Sequence, residues 1–181
     1  MLVVDPYAEK LYEFYSTQRT DSGWRAAQAS IFDLTSNKMR PDGWTSTDAA
    51  GLSVFAATVR YPDIKDGIVP HVIRLTARRT AKAYVYPATH FASRLDTPDL
   101  PRMGERYRLK KTVDISSFSP HAKAIAMGMK KYGLILADNG QDWLISIAPD
   151  NRFTGLEDLH KLKPDDFEVV VPTGPNDYGR K

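Results

Sequence analysis

The sequence predicts a mainly β protein, an antiparallel two-sheet sandwich of the jelly-roll kind with one amphipathic helix and one short helix. Short runs with alternating apolar and polar residues recur along the chain, and turn-forming residues separate them. A convincing helical stripe occurs in a single segment. The 181 residues, of which 42% are hydrophobic, suffice for one domain with its own core. We place this domain at residues 1–171, followed by a flexible tail at 172–181.

The first predicted strands cover residues 2–4, 10–15 and 30–34, with Asp5-Pro6 and the turn TDSG between them. The sequence RPDGWTSTDAAGL, which we name the 40–52 block, follows them. Its Pro-Asp-Gly predicts a tight turn, and Ser46 or Thr47 could cap one helical turn that ends at Gly51. We predict that the block is the lip of a site; the alternative is a buried crossover between the two sheets with Trp44 in the core.

The β pattern is clearest in the middle of the chain. VPHVIRLTA places His71, Ile73 and Leu75 on one face of a strand and Arg74 on the other. AKAYVYPA and ERYRLKKTVDI predict two further strands, separated by a loop at 92–104 that contains three prolines. FEVVV, at 167–171, predicts the last strand.

One helix begins at Ser119-Pro120, a favoured start, and ends at Gly133. Its apolar stripe consists of Ala122, Ile125, Ala126 and Met129. The Asp-Asn-Gly at 138–140 lies between LILA and LISI and predicts a hairpin. Finally, Thr154 and Glu157 fit a capping box for a short helix that ends near residue 161.

Several classes of protein are excluded or disfavoured by composition. The chain has no cysteine, which excludes disulfides, thiol catalysis and cysteine metal sites. No segment has the roughly 18 apolar residues of a membrane span. Nucleophile-elbow, phosphate-loop and dinucleotide motifs are absent, and nothing implies a cofactor. The net charge of +3 weakly favours an acidic partner, although a mixed, solvated surface explains it better.

Two carboxylates are candidates for catalysis. Hydrolysis of a glycosidic bond needs one carboxyl group as an acid and a second as a base or nucleophile. Asp48 lies among small residues in the 40–52 block, and Asp138 lies in the predicted hairpin turn. Helix capping or a salt bridge would also explain Asp48, and turn chemistry would explain Asp138. His90, where a strand ends and a long loop begins, would orient one of them.

The remaining candidates are for substrate binding. Flat aromatic rings with a polar edge suit sugar faces as well as ordinary packing. A lone histidine on the apolar side of a strand, as His71 is, is more often a hydrogen-bonded core residue. A metal site made of His71, His90 and Asp48 has no supporting spacing, so we predict none. The predicted substrate-binding residues are Arg40, Trp44, His71, Arg74, Tyr84, Asn139 and Trp143.

Five blocks occur in an order that resembles a family: RPDGWTSTDAAGL, HVIRLTA, AYVYPATHFAS, PRMGERYRLKKTVDISSFSP and KKYGLILADNGQDWLISIAPDNRF. They resemble the C-terminal part of a largely uncharacterised family of secreted proteins from soil bacteria. The chain has GLSV where members have GLPI, and PRMG where they have PPMG. The resemblance covers nearly the whole chain and implies an extracellular location. It also suggests that members have further N-terminal sequence.

These observations together predict a secreted carbohydrate-active enzyme that hydrolyses a polysaccharide with the pair Asp48 and Asp138. One alternative is a non-catalytic module that binds glycan or cell wall. A second and weaker alternative is a binder of nucleic acid or another anionic polymer, with Arg40, Arg74 and the basic residues at 106–110 as contacts. The predicted partner is therefore a polysaccharide, and neither a membrane nor nucleic acid is expected.

Overall fold

The computed structural model describes residues 1–171 and Gly174, and β-strands dominate it as the sequence predicts. The rest of the tail predicted at 172–181 lies outside the described residues. The strands are β1 (Leu2–Asp5), β2 (Lys10–Tyr15), β3 (Gln18–Thr20), β4 (Gly23–Arg25), β5 (Gln28–Asp33), β6 (Ile73–Ala77), β7 (Arg106–Leu109), β8 (Leu134–Asn139), β9 (Leu144–Ile145) and β10 (Phe167–Val170). The helices are α1 (Val54–Ala57), α2 (Pro120–Lys131) and the 3-10 segments Tyr61–Ile64, Leu156–Lys161 and Pro164–Asp166.

An antiparallel sheet in the order β1-β2-β5 begins the chain, and β3 and β4 form a separate hairpin. Successive side chains of a strand point to opposite faces of its sheet. Leu11 and Glu13 of β2 are buried, whereas Ile31 of β5 is exposed and lies opposite Tyr12 on the other face. The sheet therefore covers the rest of the molecule with one face.

The central sheet has five strands in the order β10-β7-β8-β6-β9. β6 and β8 are parallel, and the long connection between them includes α2. Parallel neighbouring strands need such a crossover, usually a helix, because a tight turn joins only antiparallel strands. This pair corrects the expectation of purely antiparallel strands. The strand order does not establish a jelly-roll sandwich.

Helix α2 confirms its predicted position. It begins at Pro120, and Ala122, Ile125 and Met129 of the predicted stripe are buried. The Ser119 hydroxyl does not cap the helix but donates a hydrogen bond of 2.6 Å to the carbonyl of Gly155. The apolar face of α2 packs on the strands, while Ser119, the residue before α2, ties the helix to the 3-10 segment that follows Gly155.

Two buried apolar clusters include residues of β8. The larger one includes Leu134 of β8, Leu75 of β6 and the stripe of α2. The smaller one includes Ile135 of β8 together with Ala50 and Leu52. Ala50 and Leu52 belong to the 40–52 block, so this end of the block is part of the core.

The hairpin predicted at 138–140 is wrong. β9 pairs with β6 rather than with β8, through Leu75 opposite Ile145 and Thr76 opposite Leu144. The loop after β8 binds β6 instead: Gly140 N–H donates to the carbonyl of Ala77 at 3.1 Å. Contacts with a third strand therefore override the local turn signal.

Two other predicted strands are shorter in the structure. Within AKAYVYPA, Tyr84 forms an isolated bridge with Met103 and no strand. Pro87 and Pro101, which lie near that bridge, lack the N–H groups that a longer ladder needs. ERYRLKKTVDI forms only β7, because the chain turns where Val113 N–H donates to the carbonyl of Lys110.

Glu13 joins the N-terminal sheet to the body of the molecule. It is fully buried, and its carboxylate accepts hydrogen bonds from the hydroxyls of Thr47 at 2.6 Å and Ser53 at 2.8 Å. It also accepts from the backbone N–H groups of Phe55 at 2.9 Å and Val54 at 3.2 Å. These bonds fix β2 against the 40–52 block and against the start of α1.

Candidate functional site

The 40–52 block is bound to the segment that contains residues 84–90. Thr89 N–H donates to the carbonyl of Ala50 at 2.9 Å, and the Thr89 hydroxyl donates to the carbonyl of Trp44 at 2.8 Å. The helical turn predicted at 46–51 does not form. Instead the Asp48 carboxylate accepts the backbone N–H groups of Ala50 and Leu52, each at 3.1 Å. Side-chain bonds of this kind compete with helix formation.

The outer end of the block is at the surface. Trp44 is 58% exposed, so it does not serve as a core residue between two sheets. The guanidinium of Arg40 lies 5.5 Å from the centre of the Trp44 ring and 6.0 Å from that of Phe32. Arg40 Nε also donates to the carbonyl of Thr45 at 2.7 Å. Trp44 and Arg40, which the sequence predicted to act together, therefore do lie side by side.

These two residues form one end of a long depression that we name the Trp44 groove. It consists of two adjoining cavities of about 490 and 560 Å³ that share four lining residues. The shared residues are Phe32, Asp33, Lys38 and Met39. Beyond them, the larger cavity extends to Phe55, Arg60 and Tyr86. The groove therefore runs along β5, between the N-terminal sheet and the body.

The Trp44 groove carries excess positive charge. Lys38 is exposed, and within the described part of the chain neither Lys38 nor Arg40 is in a salt bridge. Lys10, at the same end, is 3.4 Å from Asp33. The buried Glu13 carboxylate interacts electrostatically with Arg40. An extended groove with an aromatic residue and two cations outside salt bridges suits an elongated anionic ligand.

The structure also brings the predicted carboxylate pair together, at a different place. Arg74 Nη2 lies 3.6 Å from Asp48 Oδ2 and 3.5 Å from Asp138 Oδ2. Because both oxygens contact the same nitrogen, they lie no farther apart than the sum of these two distances. Arg74 Nη1 donates to the hydroxyl of Ser146 at 2.8 Å. Asp48, Arg74 and Asp138 form a cluster between β6, β8 and the inner end of the 40–52 block.

The two carboxylates differ in their access to solvent. The side chain of Asp48 is fully buried, whereas that of Asp138 is 33% exposed. Burial raises the pKa of Asp48 to about 7; Arg74 opposes this effect and Asp138 adds to it. Asp48 Oδ2 has no hydrogen-bond donor within the described residues. Asp48 thus has the raised pKa of a general acid but not the accessibility of one.

Two further predicted residues border this cluster. His90 Nδ1 lies 2.9 Å from the carbonyl of Ala49, next to Asp48, and its ring stacks on Phe91. Asn139 follows Asp138 and donates from Nδ2 to the hydroxyl of Thr80 at 3.0 Å. His90 therefore contacts the backbone beside the Asp48 carboxylate rather than the carboxylate itself.

Three predicted binding residues lie in other contacts. His71 Nε2 is 3.2 Å from Asp63 Oδ2. The hydroxyl of Tyr84 donates to Asp42 at 2.5 Å. Trp143 packs on Phe167 with 4.9 Å between the ring centres. The structure thus distributes the predicted residues over several places rather than one site.

Sequence reasoning missed Phe32, Lys38 and Met39, which form the middle of the Trp44 groove. Phe32 is one residue of an ordinary alternating strand, and Lys38 and Met39 lie in a short connection without a motif. Their one available signal was proximity in the chain to Arg40 and Trp44.

Among residues 1–171 and Gly174, no three His, Asp or Glu side chains are arranged to hold a metal ion. No helix in the same residues is both long and apolar enough to cross a bilayer. Comparison of the chain with protein-family models, curated proteins and solved structures gives no match.

Proposed function

We propose that the protein binds an extended acidic polysaccharide along the Trp44 groove. The observation that carries this proposal is the exposed ring of Trp44 in one groove with the cations Arg40 and Lys38, neither of which is in a salt bridge within the described residues. A ring with a free face suits the apolar face of a sugar, and the cations suit carboxylate or sulfate groups along the chain. The extracellular setting rests on the family resemblance and belongs to the same proposal.

The length of the groove supports a polymer rather than a small metabolite. Its two cavities adjoin through Phe32 and Met39, and both are open along β5. Small-molecule sites are usually single concave pockets that bury most of their ligand. A chain of several sugars can instead contact Trp44 at one end and Phe55 or Tyr86 at the other.

The test is binding of the full chain to polygalacturonate and to an uncharged glucan, measured by isothermal titration calorimetry. The proposal predicts saturable binding of polygalacturonate that weakens as salt rises, and weaker binding of the glucan. Lys38→Met should weaken polygalacturonate binding. The matched control Lys65→Met, which removes an exposed lysine outside the groove, should leave it unchanged. Stronger binding of single-stranded nucleic acid than of any glycan would contradict the proposal.

Hydrolysis of the polysaccharide is a second candidate. It is favoured by the approach of Asp48 and Asp138 to the same guanidinium of Arg74. Asp138 is the member of the pair that a substrate can reach. Incubation with the bound polysaccharide, followed by mass spectrometry, should then show products that gain one water per cleavage, and Asp138→Asn should abolish them. Intact polysaccharide after incubation would contradict hydrolysis and leave binding as the only proposed function.

A further inference from the structure

A cavity outside the Trp44 groove is lined almost wholly by apolar residues. It has a volume of about 300 Å³, at the lower end of the roughly 300–1,000 Å³ of ligand pockets. Of its 14 lining residues, 12 are apolar, and it shares none with the Trp44 groove. Its inner wall includes Leu75, Met129 and Leu134, which belong to the core.

The outer wall of this cavity is the chain from Leu156 to Pro164. None of the residues in the 3-10 segment Leu156–Lys161 is buried, although Leu156 and Leu159 line the cavity. Leu144 of β9, on the same cavity, is 50% exposed. Leu156 and Leu159 are partly buried and pack against the core, so they leave less apolar surface in contact with solvent than Leu144 does. A bound aliphatic chain would bury that remaining surface.

Charge at the mouth indicates what such a chain carries. The two polar lining residues are His160 and Lys163, both of which are exposed. Within the residues that the structure describes, the ammonium of Lys163 is in no salt bridge. A cation at the mouth of an apolar cavity complements an anionic group at the end of an apolar chain.

Trp143 gives independent support. It lines the cavity with a φ of 59°, a left-handed conformation that is costly for a large side chain. Its ring packs on Phe167, another lining residue, and on Tyr107. Backbone strain of this kind persists where the surroundings hold it and concentrates at ligand sites.

We infer that this cavity binds a free medium-chain aliphatic carboxylate, with the chain between β9 and Leu159 and the carboxylate at Lys163. The site is independent of the proposed glycan binding. It needs no chemistry beyond burial of the chain and one ion pair at the mouth.

The test is calorimetric titration of the full chain with octanoate, decanoate and decanol below their aggregation concentrations. Each added methylene should raise the affinity about fourfold, so decanoate should bind roughly 15-fold more tightly than octanoate. Lys163→Met should weaken decanoate binding about threefold to fivefold and leave decanol unchanged. The control Lys123→Met, an exposed lysine of α2 outside the cavity, should alter neither.

Leu159→Trp fills the cavity and should abolish binding of both ligands, with its folding checked by circular dichroism. Equal affinities for octanoate and decanoate, or no saturable heat with the wild-type protein, would overturn the inference without reliance on any variant. Undiminished binding to a folded Leu159→Trp variant would overturn the assigned cavity. An equal loss of decanoate and decanol in Lys163→Met would overturn the assigned position of the carboxylate.

Discussion

Replacement of Glu13 by alanine tests how the N-terminal sheet is attached to the body. Glu13 is fully buried, and its carboxylate accepts four hydrogen bonds from the 40–52 block and the start of α1. Alanine removes all four acceptor contacts at once. The hydroxyls of Thr47 and Ser53 can rotate toward other acceptors, but the N–H groups of Val54 and Phe55 cannot.

The expected loss follows from those two N–H groups. Both bonds are partly buried. A fully buried donor without an acceptor costs about 1–3 kcal/mol, so Glu13→Ala should lower the free energy of unfolding by at most about 2–6 kcal/mol. This is a large share of the roughly 5–15 kcal/mol by which domains are stable. Glu13→Gln keeps one carbonyl acceptor but presents an amide to the other donors. Its loss should therefore be about half as large.

The assay is urea denaturation followed by circular dichroism, with the free energy of unfolding extrapolated to water. The control is Glu168→Ala, which breaks the pair with Arg108 at the surface. Exposed pairs contribute up to about 1 kcal/mol, so this variant should remain close to wild type. A loss under 1 kcal/mol for Glu13→Ala, or an equally large loss for Glu168→Ala, would refute the role of these hydrogen bonds in attaching the N-terminal sheet.

Three further predictions concern the buried parts of the chain. The folded-state pKa of Asp48, about 7, exceeds its unfolded value, so protonated Asp48 favours folding at low pH, and this contribution is lost as pH rises from about 4 through 7. Asparagine does not titrate, so Asp48→Asn should remove this loss, which is on the order of 4 kcal/mol. Its free energy of unfolding, from urea curves between pH 4 and 8, should therefore fall less with pH than that of the wild type, and equal pH dependence of the two proteins would refute the prediction. Gly51→Ala should lower the free energy of unfolding by about 1–3 kcal/mol more than Gly67→Ala in the same assay. Both glycines have positive φ, but a Cβ would clash with Thr89 only at Gly51. Equal losses in the two variants would count against that clash. Ile125→Ala, at a fully buried position on α2, should cost about 2–5 kcal/mol in thermal or urea unfolding, and a smaller loss would mean that the core can collapse around the gap.

Local signals in the sequence were sufficient for some elements. Helix α2 was predictable because Pro120, its apolar stripe and Gly133 all lie within one segment. β9 was mispredicted because its partner is β6, far away in the chain, rather than the adjacent β8. Trp143 N–H donates to the carbonyl of Thr76 and fixes that choice, which no pattern at 138–140 indicates.

In the candidate site, too, residues close in the chain were predictable together and residues from distant segments were not. Arg40 and Trp44 were predictable together because they are close in the chain, and Phe32 was not because it enters from β5. Asp48 and Asp138, which were predicted as a pair, both lie near the guanidinium of Arg74. The depth of Asp48 was not predictable, because burial of its side chain depends on how the 40–52 block packs on β8.

The central claim is that Trp44 contacts a bound glycan, and two exposed tryptophans allow a direct test. Trp44 lines the groove, whereas Trp24 is 64% exposed on β4 and lines neither of its cavities. The measurement is the dissociation constant for polygalacturonate of Trp44→Ala and Trp24→Ala. We predict about 30-fold weaker binding for Trp44→Ala, equivalent to about 2 kcal/mol, and wild-type binding for Trp24→Ala. Equal dissociation constants for the two variants would contradict the claim.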